Sequence, residues 1–418
     1  MTQYTDRYKK SISLFKRAAE VIPQGIYGHM TPVIVGPLAS PYYIEKTKGC
    51  KYWDVDGNEY IDYLCSYGPM VLGYNHPEVD KAAEEQKKKA DICNHPAEIM
   101  VELAEHITKL IPMADWVVFG KNGADMTNHS LMIARHHTKR KKIIMAKGAY
   151  HGTAPWATGA GHAGVIDEDV QNLLYVTWGD LDEFNELARK YKGEIAGTIL
   201  TPYHHPTWAN QVMPPEGYWK GIRKTCDEEG IVLILDDIRA GFRLDLRGSH
   251  ELFGFQPDIS CYCKAIANGY ALSAMVGTDK MRISASGVFY TGSYWLSAVP
   301  MAASLATLKI LKRDNAIEKI KKMGELLKSG LEEMAQAHEL EVEVTGPPAT
   351  LFMTFKDRGD FRNSQLFSIE AMKRGVFFHP HHNWFVSAAH EKADIEKSIN
   401  VADEAFKEVR KVFGPSEV

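Results

Sequence analysis

No apolar run in this 418-residue sequence is long enough to span a bilayer, and the opening stretch from Met1 to Lys10 is polar where an export signal needs an apolar core. Neither sign of charge is in excess. Lys and Arg number 49 and Asp and Glu 53, a formal net charge of −4, which marks no nucleic-acid or acidic-membrane partner. Cysteine is sparse, at Cys50, Cys65, Cys93, Cys226, Cys261 and Cys263, and the one close pair, Cys261 and Cys263, has no further ligand at metal spacing. All six are read as reduced thiols, mostly buried, and no metal is expected. Repeats, low-complexity tracts and long linkers are also missing. These absences leave a soluble globular protein, expected to stay in the cytoplasm.

What is present is a composition of 45% hydrophobic and 24% charged residues, on a chain long enough for a large domain and a smaller one. Short apolar runs alternate with amphipathic segments between Tyr67 and Gly292: Trp116 to Phe119, Ile143 to Met145, Ile195 to Leu200, Ile231 to Leu235, Ile259 to Cys263 and Ala274 to Gly277. Such alternation predicts an α/β fold, a mostly parallel sheet covered by helices on both faces. Before it, Asp6 to Val21 reads as a helix, and Lys51 to Val55 with Glu59 to Tyr63 flank Asp56-Gly57-Asn58 as a hairpin. After Gly292 longer helical patterns, Ala316 to Met334 and Asp394 to Phe413, enclose strands expected at Leu351 to Phe355 and Trp384 to Ser387. This is a second, smaller α+β domain.

Two of the apolar runs end on reactive groups. The first closes on Asp236 and Asp237, and the second on Lys264. Open α/β sheets place ligand chemistry beyond the carboxyl ends of their strands, so an acid and an amine delivered there can face one ligand. That pairing suits pyridoxal 5'-phosphate (PLP), whose pyridine nitrogen needs a carboxylate and whose aldehyde needs a lysine to hold it as a Schiff base. Each half alone also fits an ordinary strand end with a solvated side chain.

The surrounding motifs narrow the reading. Leu235-Asp236-Asp237-Ile238-Arg239-Ala240-Gly241-Phe242-Arg243, the run from Lys264 to Ala274, Ser66-Tyr67-Gly68-Pro69-Met70-Val71-Leu72-Gly73 with His76-Pro77, and Tyr150-His151-Gly152 resemble the class III (subgroup II) aminotransferases, most of all their glutamate-1-semialdehyde aminomutase-like branch. The resemblance runs in order from about Leu14 to Phe406. It implies a fold-type I PLP-dependent transferase with a mostly parallel seven-stranded-type sheet in the large domain. The domains would then be 1–66, a segment joining the small domain, 67–300, the large PLP-binding domain, and 301–418, the C-terminal small domain.

Carried over residue by residue, the resemblance implies that Lys264 holds the aldehyde and shuttles a proton, and that Asp236 faces the ring nitrogen. The phosphate cradle falls at Asn122-Gly123-Ala124, where relatives typically carry Ser-Gly-Thr; two hydroxyl donors are lost, and helix-start amides must do more. Tyr150 stands where an aromatic ring stacks on the cofactor. Ser293 aligns with a residue that reaches the phosphate of the neighbouring subunit, which implies a homodimer with shared sites.

The chain departs from the branch where substrate is held. An arginine that usually clamps the substrate carboxylate aligns with Thr31, which offers only a neutral hydroxyl. A Glu-Pro is replaced by Thr201-Pro202, leading into Tyr203-His204-His205-Pro206-Thr207-Trp208, and His379-Pro380-His381-His382-Asn383-Trp384 lacks an acid of the matching loop. Adjacent histidines rarely face one ion, so these loops are read as shaping a polar, aromatic substrate mouth with Tyr27, Tyr67 and Trp295 rather than as metal ligands. The function expected is amino transfer between a small-molecule amine, β- or ω-amino rather than glutamate-1-semialdehyde, and a carbonyl acceptor. An aminomutase or racemase using the same Lys264 stays open, and a non-catalytic PLP-binding protein is a third class.

Overall fold

A computed structural model describes residues 6–206, 208–356 and 361–416, so Met1–Thr5 of the polar opening stretch and Thr207 of the first histidine-rich loop lie outside the described residues. Two compact units form, one from Met1–His76, Trp208–Asn210 and Glu318–Val418, the other from Pro77–Thr207 and Gln211–Ile317. The divisions at 66/67 and 300/301 expected from the sequence differ from these. Val71 accepts from the Ala388 amide and Tyr74 pairs with Gly49, which ties the segment after Tyr67 to the first unit. Helix Ala298–Arg313 buries Met301, Ala303, Leu308 and Leu311 and packs on helices Pro77–Lys89 and Ile99–Leu110 of the second.

The first unit begins with helix Lys9–Val21, followed by β1 (Ile44–Lys48), β2 (Lys51–Asp54) and β3 (Glu59–Asp62). The turn between β2 and β3 is the expected hairpin: Gly57 sits at φ +89°, and Asp54 accepts from the Asn58 amide at 2.8 Å.

In the second unit seven strands make one sheet: β4 (Trp116–Gly120), β5 (Lys142–Ala146), β6 (Leu173–Val176), β7 (Ile195–Leu200), β8 (Val232–Asp236), β9 (Ile259–Tyr262) and β10 (Ser273–Gly277), in the order β4-β10-β9-β8-β7-β5-β6. Only β10 runs antiparallel to its neighbours. Strand β6, at the sheet's edge, was not expected from the sequence, although Leu173-Leu174-Tyr175-Val176 is a continuous apolar run with both its end residues buried. Central β8 is buried at all five residues, and its side chains split by parity. Val232 and Ile234 join Met126, Leu131 and Ile133 of helix Gly123–Thr138 in one core, whereas Leu233 and Leu235 join Trp219, Ile222 and Cys226 of helix Tyr218–Glu229 in the other. Each such side chain contributes roughly 1.5–3 kcal/mol by leaving water.

The chain then returns to the first unit with β11 (Val342–Thr345), β12 (Phe352–Phe355) and β13 (Val376–Phe377), and with helices Ala316–Ala337 and Lys392–Phe413. Trp384 to Ser387 is not a strand, although the amides of Trp384, Phe385 and Val386 donate to Leu351, Tyr63 and Ala349. Its partners lie on separate segments, so no continuous ladder forms. Strand β13, which pairs parallel with β3, takes that place in the sheet. Among the described residues no helix is long and apolar enough to cross a membrane.

Candidate active site

Asp236 shares the parity of Val232 and Ile234, which turns it toward the face covered by helix Gly123–Thr138. It is 4% exposed, and its carboxylate is fixed at both oxygens: Oδ2 accepts from His151 Nδ1 at 2.7 Å and Oδ1 from the Ile238 amide at 3.2 Å. Asp237 does different work. Its carboxylate accepts from the Ser249 amide at 2.9 Å and from the Ser249 hydroxyl, and burial pushes its pKa up to about 7 against those two bonds.

On β9, Ile259 and Cys261 belong to the same core face as Val232 and Ile234. Cys263 follows that parity, and then Lys264 adopts φ +45°. A non-glycine residue in the left-handed region ends the strand sharply and is held there only by its surroundings. The turn closes through Asn268 and Gly269, both also at positive φ. The Lys264 ammonium is ringed by protein although the side chain still borders a cavity. Desolvation lowers its pKa to about 7; Arg239 and Arg243 add to that, while Cys263 and Asp236 oppose it.

Helix Gly123–Thr138 starts at Asn122, whose amide, with that of Lys121, donates to Asp125 Oδ2 at 2.8 and 2.9 Å. Sixteen residues of helix therefore end with their positive pole and first amides at Gly123 and Ala124. Room there is kept by glycine. A Cβ on Gly123 would meet Ile238 at 2.5 Å, and one on Gly152, at φ +117°, would meet the Ala124 side chain at 2.7 Å.

Asn122, Gly123, Ala124, Tyr150, Asp236 and Lys264 all line one cavity of about 280 Å³ in the second unit. Tyr150 is half exposed at its rim, and burial raises its pKa. Ser293 is not among the lining residues; it lies on an exposed turn between Gly292 and Trp295. The cavity also takes in His205, from a loop expected at the substrate mouth, and residues that the sequence did not assign to the site: His151, Thr153, Arg239 and Cys263. His151 belongs to the Tyr150-His151-Gly152 motif, but its link to Asp236 spans 85 positions and leaves no local signal.

Thr31 caps the short helix Pro32–Val35 in the first unit, its carbonyl accepting from Ile34 and Val35. The histidines expected in one mouth are divided. His204 and His205 belong to the second unit, where the His204 ring stacks on Trp178 at 5.8 Å. His379, His381 and His382 belong to the first and gather around His29, whose carbonyl oxygen accepts from His379 Nε2 at 3.0 Å. Tyr67, at φ +65° after Cys65 and Ser66 in the same region, stands 5.3 Å from His382, and Trp208 stands 4.4 Å from His381. Burial holds His379 at about 3 and His381 at about 4, so both are neutral at physiological pH. Of the other two expected members, Tyr27 is exposed, and Trp295 packs on His129 in the second unit. Among the described residues no group of three or more His, Cys, Asp or Glu is placed to hold a metal ion.

An acid, a depressed lysine and a helix N-terminus converging at the carboxyl edge of an α/β sheet define the site of a fold-type I transferase. Residues 35–400 match the family model of the class III aminotransferases, and the chain belongs to that family. It is 40% identical over 400 residues to an aminopentol aminotransferase of Sphingopyxis macrogoltabida, covering 96% of this chain and 94% of the relative. A glutamate-1-semialdehyde 2,1-aminomutase of Syntrophobacter fumaroxidans is 32% identical over 434 residues, with coverage of 96% and 98%. The solved PLP internal aldimine form of the FumI protein of Sphingopyxis sp. MTA144 superposes with a TM-score of 0.95 at 39% identity, covering 98% of each chain.

Proposed function

We propose that this protein is a PLP-dependent aminotransferase that moves an amino group from a small-molecule amine to a carbonyl acceptor. The observation that carries the reading is Lys264, held near a pKa of 7, sharing a cavity with Asp236 and the start of helix Gly123–Thr138. The residues fit the cofactor: the carboxylate of Asp236 is buried and oriented for a cationic ring nitrogen, and the glycines at 123 and 152 leave the helix start open for a phosphate.

Bound there, PLP supplies an electron-withdrawing ring that stabilises negative charge beside the reacting nitrogen. Asp236 would hold the ring nitrogen protonated through its opposing charge. Asn122 and the amides of Gly123 and Ala124 would hold the phosphate, and Tyr150 would lie against the ring. With a pKa near 7, Lys264 Nζ is substantially deprotonated at neutral pH, so as a free amine it would hold the cofactor's aldehyde and could accept and return a proton.

The substrate is read as a β- or ω-amino compound, or an amine without a carboxylate beside the reacting nitrogen. Thr31 in place of an arginine supports this, since a carboxylate leaving water needs a charged donor. The 40% identical relative, named for an aminopentol, supports it as well. The chain is proposed to act in the cytoplasm as a homodimer, with Ser293 reaching the partner's cofactor phosphate. Exposed Phe289 and Tyr294 beside Ser293 support that assembly.

The test is to mix purified holoenzyme with α-, β- and ω-amines and glutamate-1-semialdehyde and follow loss of the cofactor's visible absorbance. A β- or ω-amine is expected to bleach it fastest, with colour returning only on addition of a carbonyl acceptor. Glutamate-1-semialdehyde as the best of the panel would overturn the substrate reading. Turnover of one compound with no acceptor would place the protein with the aminomutases.

A further inference from the structure

His205 closes one side of the Lys264 cavity and is 5% exposed. It sits five residues past the end of β7, on the Thr201-to-Pro206 stretch where the sequence departs from its branch. Its neighbours fix it. Tyr203, fully buried, meets the imidazole edge-on at 5.3 Å, and Pro206 behind it favours extended backbone at His205 and brings no amide to compete for the ring. Its Nε2 is buried and has no hydrogen-bond partner. A polar atom left so costs the folded chain free energy, so its retention beside the site points to a bound ligand as the partner.

The geometry points to His205 as the residue that hydrogen-bonds the ring hydroxyl oxygen of the cofactor. This rests on the PLP reading above, in which the other polar groups of the cofactor already have partners: the ring nitrogen faces Asp236, the phosphate meets Asn122 to Ala124, and the aldehyde meets Lys264. The ring hydroxyl alone is left, and His205 lines the same cavity with a buried, unsatisfied Nε2 that holds none of those other groups. Burial, and then the positive charge of Arg239, push its pKa well down, so the imidazole stays neutral and carries one proton. The ring oxygen bears negative charge when Lys264 holds the aldehyde, and an anionic acceptor selects the tautomer with that proton on Nε2.

A donor on the ring oxygen draws off charge that otherwise helps keep a proton on the neighbouring nitrogen. Removing it raises the pH at which the visible band of the holoenzyme titrates. The experiment is a spectrophotometric pH titration of wild-type, His205→Leu, His205→Phe and His205→Gln holoenzymes, without substrate. Both apolar variants are expected to shift the midpoint upward by on the order of one pH unit, and the glutamine variant, whose amide still donates, to stay near wild type. The second apolar variant keeps the ring bulk in case leucine disturbs folding. An apolar-variant holoenzyme with the wild-type midpoint overturns the inference, and so does a glutamine variant displaced as far as leucine. A wild-type protein with no visible band would instead defeat the PLP reading itself.

Discussion

His151 and Asp236 meet across 2.7 Å, with Nδ1 of the imidazole donating to Oδ2 of the carboxylate, and both residues are almost wholly buried. The bond fixes which way the carboxylate faces, and the Ile238 amide fixes its other oxygen. His151→Leu is expected to lose about 1–2 kcal/mol of cofactor binding, roughly a tenfold rise in the dissociation constant. His151→Asn, whose side-chain amide stands close to the place of Nδ1, should recover most of it. Equilibrium dialysis against PLP checks both, and equal affinity in the leucine variant would remove His151 from the site.

Asp236→Asn keeps the volume and loses the charge. The variant is expected to bind PLP yet to slow single-turnover amine conversion by about a hundredfold or more, because a neutral amide cannot hold the ring nitrogen protonated. Rates near wild type would move that role away from Asp236.

Lys264 carries a stability cost that pH should reveal. Its folded pKa is about 7 while an unfolded lysine titrates near 10.4. Between those values the unfolded chain binds more protons, so the cofactor-free protein should gain stability as pH rises from about 7 to about 10, the penalty being complete below 7. Lys264→Met removes the charge, and is expected to be more stable at pH 7 by on the order of a few kcal/mol and to lack that slope. Urea unfolding of both cofactor-free proteins at pH 7 and 9 measures it; parallel pH dependence would show that the amine is not desolvated.

Gly152 sits at φ +117° with its Cα facing Ala124. Gly152→Ala is expected to press on the first turn of helix Gly123–Thr138 and weaken PLP binding by about 1–3 kcal/mol, the scale of strain at such a backbone position. Affinity for pyridoxal, which lacks the phosphate, should change much less. An equal loss for both ligands would show general damage rather than a spoiled phosphate cradle.

Ser293→Ala tests the shared site proposed for the dimer. Loss of one hydrogen bond to a charged group should weaken PLP retention by on the order of 1–3 kcal/mol while leaving the sedimentation coefficient unchanged. A fully active monomer would contradict a two-chain site.

The sequence by itself determined much of this protein, because its signals are local. Continuous apolar runs mark β4, β5, β7, β8, β9 and β10, and the acid ending β8 and the lysine beyond β9 stand where strand ends deliver them. Asp236 could be preferred to Asp237 because it directly follows the apolar run, and side-chain parity puts it on the helix face. Strand β13 is only two residues long and leaves no pattern to read, whereas β6 was not expected although Leu173 to Val176 is itself a continuous apolar run. Only the tertiary structure decided what depends on approach between distant segments. It brought His151 to Asp236, set His205 and Arg239 against the Lys264 cavity, and gathered His29 with His379 and His382. It also set the pKa of Lys264, since desolvation and the nearby arginines come from packing that no stretch of sequence contains.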